Sequence, residues 1–298
     1  MGSVATFRKA VLLAKLSRKN EIKVGNCTYR TKSFFVNALA VQHGQEPREP
    51  WLDAVIHTLL RCREGAFLDV GANIGQTMLK VLAFDKTREY VGFEPQLSCC
   101  SLIQSFIEEN NLKDHTILPL GLWNCSQLIR LHLRGGAYDS TASMIQNFRP
   151  DSFYTSHRYI CVRKGDDLIA ELGLPSISAI KIDVEGAELE VIEGLIGTIR
   201  EQMPGIIFEV LNHYLVITSE NLDPQMIRFR ESRIEKMERL LTQEGYDIYN
   251  LLPGNVLKRV RKIQPAVSAD MSITNYVAVS QQNSGSFLEA FPGTVQDN

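Results

Sequence analysis

Paired cysteines, long apolar runs and an excess of charge of one sign are all missing from this sequence. No apolar run approaches the roughly 20 residues that cross a bilayer, so we expect no membrane-spanning segment. Lys and Arg number 32 against 34 for Asp and Glu, a balance that argues against nucleic acid as a partner. The six cysteines form no C-x-x-C pair, which indicates reduced thiols of a cytoplasmic protein.

The composition is nevertheless that of a folded protein. Hydrophobic residues make up 44% of the 298, which is enough for a core, and the length suits one large domain with appendages. Composition leaves the oligomeric state open, with a homodimer among the options.

The first 50 residues are predicted to form an extension. Residues 7–23 carry six basic side chains against one acid, with apolar residues at helical spacing. Such a helix is typical of a transit peptide, of a surface anchor or of an ordinary helix with a solvated face, and these interpretations stay open. Gly25-Asn26, between β-prone runs in residues 22–41, predicts a hairpin. We therefore expect residues 1–50 to hold a helix and a hairpin.

From residue 66 onward, short apolar runs alternate with helical patterns. This alternation predicts parallel strands joined by right-handed crossovers, and hence a doubly wound, Rossmann-like α/β sheet. We predict a main domain over 51–281 with an insert at about 121–175, and a flexible polar tail over 282–298. The predicted strands are Phe67–Val70, Tyr90–Phe93, Thr116–Leu120, Ser178–Ile182, Gly205–Val210, Tyr246–Leu251 and Thr274–Ser280.

The first predicted strand runs into a glycine loop, Asp69-Val70-Gly71-Ala72-Asn73-Ile74-Gly75. Glycines in a strand-to-helix turn let the backbone approach a ligand at the carboxyl edge of the sheet. A dinucleotide fingerprint needs G-x-G-x-x-G, and Asn73 and Gln76 replace two of its glycines. Asp69 ahead of the loop disfavours a pyrophosphate and favours a cation, such as the sulfonium and amino groups of S-adenosylmethionine.

Glu94 ends the second predicted strand, immediately before Pro95. A carboxylate at this position accepts hydrogen bonds from both ribose hydroxyls of an adenosyl group. Enzymes that use NAD place an acid at the same point. Glu94 therefore indicates a bound adenosine ribose, but it does not distinguish S-adenosylmethionine from NAD.

A charged string, KIDVEGAE at 181–188, follows the fourth predicted strand. Placing several charged side chains beside a buried sheet costs desolvation free energy, so such a cluster indicates a functional site. Strand alternation puts Lys181 and Asp183 on one side, so Asp183 is expected to face the ligand crevice. Glu185 and Glu188 fall in or beside the first turn of the next helix, where the helix dipole favours negative charge.

The strings FLDVGANIGQT, VGFEP, AIKIDVEGAE and IIFEV, in this order, resemble the FkbM-type family of S-adenosylmethionine-dependent methyltransferases. The similarity covers roughly residues 64–212 and the last strands. It implies a class I methyltransferase fold, a seven-stranded sheet whose last strand, Thr274–Ser280, runs antiparallel. It also implies S-adenosylmethionine as the cofactor, held by Asp69, Gly71, Asn73, Gly75, Glu94 and Asp183. On the reaction side it places Lys181, Asp183, Glu185 and Glu188.

The resemblance further implies O-methylation of a sugar or other natural-product hydroxyl, or N-methylation of a peptide side chain. The acceptor's proton needs a base. Asp183 is the first candidate, followed by Glu185, Glu209 and His213. Asp183 and Glu185 offer oxygen ligands of the kind that Mg²⁺ prefers, but we expect no metal.

The added parts of the chain are expected to choose the acceptor. The stretch Tyr138–Thr141 in the insert either faces the acceptor or is a plain hairpin loop, and the basic cluster Lys258–Lys262 either contacts a partner or is solvated. Two other function classes remain as alternatives to the methyltransferase. One is a nicotinamide-dependent oxidoreductase on the same sheet, and the other is a binding module without catalysis.

Overall fold

The computed structural model describes residues 21–31, 49, 51–212, 224–266, 268 and 270–297. Residues 7–20 of the predicted N-terminal helix, and His213, lie outside the described residues. Within those ranges none of the helices combines the length and the apolar character needed to cross a membrane.

Strands and helices alternate as predicted from residue 66 to residue 118 and again from residue 165 to residue 209, and the insert between them is built mainly from strands. The helices are α1 (Trp51–Cys62), α2 (Gln76–Phe84), α3 (Leu97–Glu109), α4 (Gly165–Leu172), α5 (Glu188–Gly194), α6 (Ile196–Gln202), α7 (Pro224–Gln243) and α8 (Gln281–Ala290). The strands are β1 (Glu21–Val24), β2 (Cys27–Arg30), β3 (Ala66–Val70), β4 (Tyr90–Phe93), β5 (His115–Leu118), β6 (Gly121–Trp123), β7 (Gln127–Leu133), β8 (Ser156–Lys164), β9 (Ile177–Ile182), β10 (Gly205–Glu209), β11 (Tyr246–Leu252), β12 (Val256–Val260), β13 (Asn275–Ser280) and β14 (Thr294–Gln296).

Strands β1 and β2 form an antiparallel hairpin that turns at Gly25-Asn26, as the turn signal predicts. Gly25 has a φ of 58°, and a Cβ there would stand 2.7 Å from the carbonyl oxygen of Ala83 in α2. Asn110, at the end of α3, accepts from the backbone N–H of Arg30 and donates to its carbonyl, both at 2.7 Å. The hairpin is therefore joined to the main domain by the Asn110 side chain and by the close approach of its turn to α2.

The central sheet has the strand order β14-β12-β11-β13-β10-β9-β3-β4-β5. Strands β5, β4, β3, β9 and β10 are parallel, and β13 runs antiparallel between β10 and β11. The predicted α/β fold with an antiparallel last strand is confirmed. The predicted count of seven is wrong, because β12 and β14 extend the sheet to nine strands in the described part of the chain.

The C-terminal segment is ordered where a flexible tail over 282–298 was expected. Helix α8 and strand β14 occupy most of it, and β14 pairs in parallel with β12. Phe287 and Phe291 are 1% and 7% exposed, and their rings stack with centroids 6.2 Å apart. Two buried aromatic rings supply enough apolar contact to hold a segment that is otherwise polar.

Helices cover both faces of the central sheet. One apolar cluster joins α1, α2, α3 and α8 to the sheet, and a second joins α4, α5, α6 and α7 to the opposite face. Phe67 points into the first cluster and Leu68 into the second, so every residue of β3 is buried. Burial on both faces explains why these strands read as continuous apolar runs rather than as alternating ones.

The insert between β5 and β9 builds a small sheet of its own, in the order β6-β8-β7. Its apolar residues, among them Met144 and Phe148, form a third cluster that includes Ala187 and Leu211. Ala187 follows β9 and Leu211 follows β10. The insert is therefore anchored over the carboxyl edge of the central sheet.

His115, at the start of β5, gives the fold a dependence on pH. It is 4% exposed, stacks on Tyr90 and has no hydrogen-bond partner for either ring nitrogen among the described residues. Burial lowers the pKa of His115 from 6.5 to about 4, although Asp114 and Asp85 oppose the shift. Between these two values the unfolded chain binds a proton that the folded chain does not.

Above pH 6.5 we expect His115 to leave the free energy of unfolding unaffected. As the pH falls from 6.5 towards 4, the free energy of unfolding should decrease by about 3 kcal/mol. His115→Phe keeps the stacked ring and removes the titration, so this loss should disappear in urea unfolding measured across that range. The exposed His157, replaced by Phe, is the control and should keep the wild-type slope. An unchanged slope in His115→Phe would contradict the assignment.

Candidate active site

A cavity of about 330 Å³ lies at the carboxyl edge of the central sheet. Residues that follow β3, β4, β9 and β10 line one side of it, and residues of the insert line the other. The carboxyl ends of parallel strands meet at the same edge of a sheet, which explains why residues distant in sequence converge here. The volume lies within the range of small-molecule sites.

The glycine loop after β3 forms the floor of the cavity. Gly71 has a φ of 87°, and the backbone N–H groups of Gly71 and Ala72 donate to the carbonyl of Phe93 at 2.9 and 3.2 Å. A Cβ on Gly71 would lie 1.9 Å from the carbonyl oxygen of Asp183. Only glycine lets the ends of β3 and β9 approach this closely.

Glu94 presents its carboxylate to the cavity from the end of β4. One carboxylate oxygen accepts from the backbone N–H of Asn73 at 2.9 Å, and the other from that of Gln96 at 2.8 Å. Burial raises the pKa of Glu94 to about 7, against the opposing effect of these hydrogen bonds. Each oxygen keeps a further lone pair, so the group can accept two more hydrogen bonds from a ligand.

Asp69 lies below the cavity rather than in its wall. It is completely buried, and Tyr90 Oη donates to its Oδ2 at 2.6 Å. Its Oδ1 has no hydrogen-bond partner among the described residues. Burial raises the pKa of Asp69 to about 6, although Lys181 and Tyr90 oppose the shift. A buried carboxylate oxygen without a partner is unusual and fits a site that attracts positive charge.

Lys181 and Asp183 form an ion pair at the end of β9, with Nζ and Oδ2 2.8 Å apart. Lys181 is 4% exposed, whereas Asp183 is partly exposed and lines the cavity. Burial alone would lower the pKa of Lys181, but the carboxylates of Asp183 and Asp69 outweigh it and raise that pKa. Lys181 therefore stays charged and fixes the Asp183 carboxylate at the cavity wall.

Glu185 and Arg149 form a second ion pair, which joins the loop after β9 to the insert. Arg149 is 2% exposed and also donates to the Thr141 carbonyl at 3.3 Å and to Tyr154 Oη at 3.1 Å. Glu185 has a φ of 55°, an uncommon conformation for a residue with a side chain. The buried arginine holds the Glu185 carboxylate at the cavity.

Glu209 and Glu188 occupy different positions. Glu209, at the end of β10, is 7% exposed, lines the cavity and accepts from Thr274 Oγ1 at 2.8 Å. Glu188 accepts from the backbone N–H groups of Val184 and Gly186 at 3.3 and 3.1 Å, and it does not line the main cavity. Glu188 therefore caps its own loop instead of lining the reaction side.

The insert closes the cavity through Asp139. Its backbone accepts from Gln96 Nε2 at 2.9 Å and donates to Gln96 Oε1 at 3.2 Å. Its carboxylate accepts from the backbone N–H groups of Arg134 and Thr141 at 2.6 and 2.9 Å. The loop from Arg134 to Thr141 is thus tied to Gln96, two residues beyond Glu94, and Asp139, Ser140 and Thr141 line the cavity.

The structure brings most of the predicted site residues together at one edge. Those that line the cavity are Gly71, Asn73, Glu94, Lys181, Asp183, Glu185 and Glu209. Asp69 and Gly75 do not line it, since Asp69 is buried beneath the loop and Gly75 immediately precedes α2 as its N-cap residue. Asp139 belongs to the stretch Tyr138–Thr141 that the sequence offers as a candidate, and it lines the cavity. Sequence reasoning missed Tyr90, Gln96 and Arg149 as supporting residues. None of these three belongs to a motif, and only the fold shows their contacts.

Three carboxylates, those of Asp183, Glu185 and Glu209, bring oxygen atoms within 4.8 Å of one another. The two ion pairs already provide positive charge to this group, through Lys181 and Arg149. We assign no metal to it, and the absence of a metal requirement stays a prediction.

Comparison with known proteins gives one family match. The family model described as "Methyltransferase FkbM domain" matches residues 69–248. No curated protein matches the chain.

Among the solved structures that are similar at low identity are three methyltransferases. An FkbM methyltransferase from Methylobacillus flagellatus KT shares 15% identity with a TM-score of 0.41, over 92% of this chain and 60% of that one. The chain thus spans 60% of the length of that protein. An O-methyltransferase from Bacillus cereus, in complex with SAH, shares 15% identity with a TM-score of 0.44, over 83% and 88% of the two chains. The O-methyltransferase TomG from Streptomyces achromogenes, in complex with SAM, shares 10% identity with a TM-score of 0.44, over 85% and 91%.

Proposed function

Because this chain belongs to the FkbM methyltransferase family, we propose that it transfers a methyl group from S-adenosylmethionine to a hydroxyl of a sugar or other natural-product intermediate. The observation that carries the proposal is the composition of the cavity wall. Glu94, next to the glycine loop, and the carboxylates of Asp183, Glu185 and Glu209 all line this wall.

The residues at the edge of the sheet suit the cofactor. Glu94 would accept the ribose hydroxyls, and Gly71 and Asn73 would bring the backbone against the ligand. Asp183, and Asp69 beneath the loop, would place negative charge near its cationic groups. When bound, S-adenosylmethionine supplies a methyl group on a positively charged sulfur, which a nucleophile can displace.

The residues of the insert suit the positioning of an acceptor. Leu122, Leu131 and Met144 give the cavity an apolar wall that excludes water, while Ser140 and Thr141 offer hydroxyl groups. Holding an acceptor in line with the reacting bond supplies a large part of the rate in such transfers. Asp183 and Glu185, fixed by their ion pairs, are proposed as the catalytic contacts that orient it, with His213 as a further candidate.

Two further parts of the proposal concern the methyl acceptor and the cellular compartment. N-methylation of a peptide side chain is the alternative, since carboxylates also attract an amine.

All six thiols are free, which suits a reducing compartment such as the cytoplasm. Incubation with a labelled methyl donor and a cell extract, followed by mass spectrometry of the labelled product, identifies the acceptor and the methylated atom.

Calorimetry tests the cofactor. We expect binding of S-adenosylmethionine and no binding of NAD, and Glu94→Gln should weaken the binding by about 10- to 100-fold, because hydrogen bonds to a charged group contribute about 1.5–3 kcal/mol. Glu64→Gln is the control, since the Glu64 side chain is 99% exposed, and its affinity should equal that of the wild type. Tight binding of NAD without binding of S-adenosylmethionine would favour the oxidoreductase instead.

A further inference from the structure

The three carboxylates that lie close together in the cavity wall differ in what holds them. Asp183 is paired with Lys181, and Glu185 is paired with Arg149. Both carboxylates therefore already contact a cation at the cavity wall.

Glu209 is the exception among the three. Among the described residues, its carboxylate accepts one hydrogen bond, from the neutral hydroxyl of Thr274, and no described Lys, Arg or His forms an ion pair with it. It is 93% buried, as its exposure of 7% shows. Burial, and then the negative charges of Asp183 and Glu185, raise the pKa of Glu209 well above its ordinary value.

The other groups that face Glu209 do not compensate its charge. Glu49 adds a further negative charge from the N-terminal side. On the opposite side, Glu188 and the arginines Arg230 and Arg233 border a small second cavity that Glu209 also lines. Arg230 donates to the carbonyls of residues 211 and 212, and Arg233 pairs with the carboxylate of residue 190.

We propose that Glu209 is the proton acceptor of the methyl transfer, a role that rests on the proposed function of this site. In the step, the acceptor's oxygen or nitrogen uses an electron pair to bond the methyl carbon, and the pair of the breaking carbon–sulfur bond stays on sulfur. The proton of the acceptor moves to a carboxylate oxygen of Glu209. Asp183 and Glu185 act as fixed anions that strengthen this base.

The same arrangement couples Glu209 to cofactor binding. With the cavity empty, two neighbouring anions favour a proton on Glu209. A positively charged sulfur in the cavity favours the ionised carboxylate and expels that proton. The base is thus generated when the cationic methyl donor arrives.

The number of protons released when S-adenosylmethionine binds can be measured by calorimetry at pH 8 in buffers of different ionisation enthalpy. The measurement needs no methyl acceptor. Asp69 and Glu94 have pKa values of about 6 and 7 and are largely ionised at that pH. S-adenosylhomocysteine is the matched ligand, since it lacks the methyl group and the positive charge on sulfur. We expect S-adenosylmethionine to release up to about one more proton than S-adenosylhomocysteine.

Three variants make the test specific. Glu209→Gln should bind both ligands and lose the difference between them. Glu188→Gln, an equally buried glutamate outside the main cavity, should keep it. Thr274→Val removes the hydrogen bond that favours the ionised carboxylate, so the release should move to higher pH, a shift that a merely structural role would not produce.

An equal difference in the wild type and in Glu209→Gln would overturn this inference and leave the proposed function intact. A wild-type protein that binds neither ligand would overturn the proposed function itself, and the inference with it.

Discussion

Gly71→Ala is expected to destabilise the protein by roughly 3–5 kcal/mol, and to abolish binding of S-adenosylmethionine in any fraction that still folds. A Cβ at this position would lie 1.9 Å from the carbonyl oxygen of Asp183, a backbone atom that cannot rotate away. The φ of 87° adds strain, because alanine rarely adopts it. The ends of β3 and β9 must separate, and the floor of the cavity opens. Urea unfolding and calorimetry with the cofactor measure the two effects.

Gly285→Ala provides the opposite case. Gly285 lies within α8, and a Cβ there meets no atom within 4 Å. Alanine is favoured over glycine inside a helix by about 1 kcal/mol, so this variant should be more stable than the wild type. Equal stability of the two variants would mean that β3 and β9 tolerate a wider spacing than the structure indicates.

Arg149→Met is expected to cost about 3–5 kcal/mol of unfolding free energy, since it leaves Glu185 without its cation beside two other carboxylates. The guanidinium also lies 5.6 Å from the ring centre of Phe148 and 5.2 Å from that of Phe153, and these cation–π contacts are lost. The insert loses its attachment to the loop after β9. We expect a lower midpoint of urea unfolding and faster proteolysis within the insert.

Arg134→Met is the matched control, since Arg134 belongs to the same insert and lies 5.0 Å from the ring centre of Phe153. It is exposed and forms no ion pair with a described residue, so its replacement should change the stability by no more than about 0.5 kcal/mol. If both variants lose the same stability, the aromatic contact matters and the ion pair with Glu185 does not.

The features that the sequence predicted well depend on local patterns. Apolar runs and helical periods locate β3, β4, β9 and β10, and parallel pairing then carries their ends to one edge of the sheet. Because Glu94 and Asp183 directly follow strands, the strand pattern alone predicts that they converge. The FkbM-type resemblance identified the same edge by its motifs.

The features that the sequence did not predict depend on contacts between distant segments. Arg149 stands in an insert without a motif, and nothing local distinguishes it from a solvated arginine until it meets Glu185. The depth of Asp69 depends on how Tyr90 packs across the neighbouring strand. The polar composition of the C-terminal segment predicts a flexible tail, whereas the buried rings of Phe287 and Phe291 and the pairing of β14 with β12 hold it against the domain.

The position of β13 also affects how the chain assembles. It lies between β10 and β11, although it is synthesised after both of them. Until it inserts, those strands expose unpaired edges, which invite pairing with other chains, and closing such long-range contacts is slow. Thr274, which bonds Glu209, immediately precedes β13. The carboxylate therefore has this partner only when β13 is in place, so the pocket is complete only once the sheet has closed around that strand.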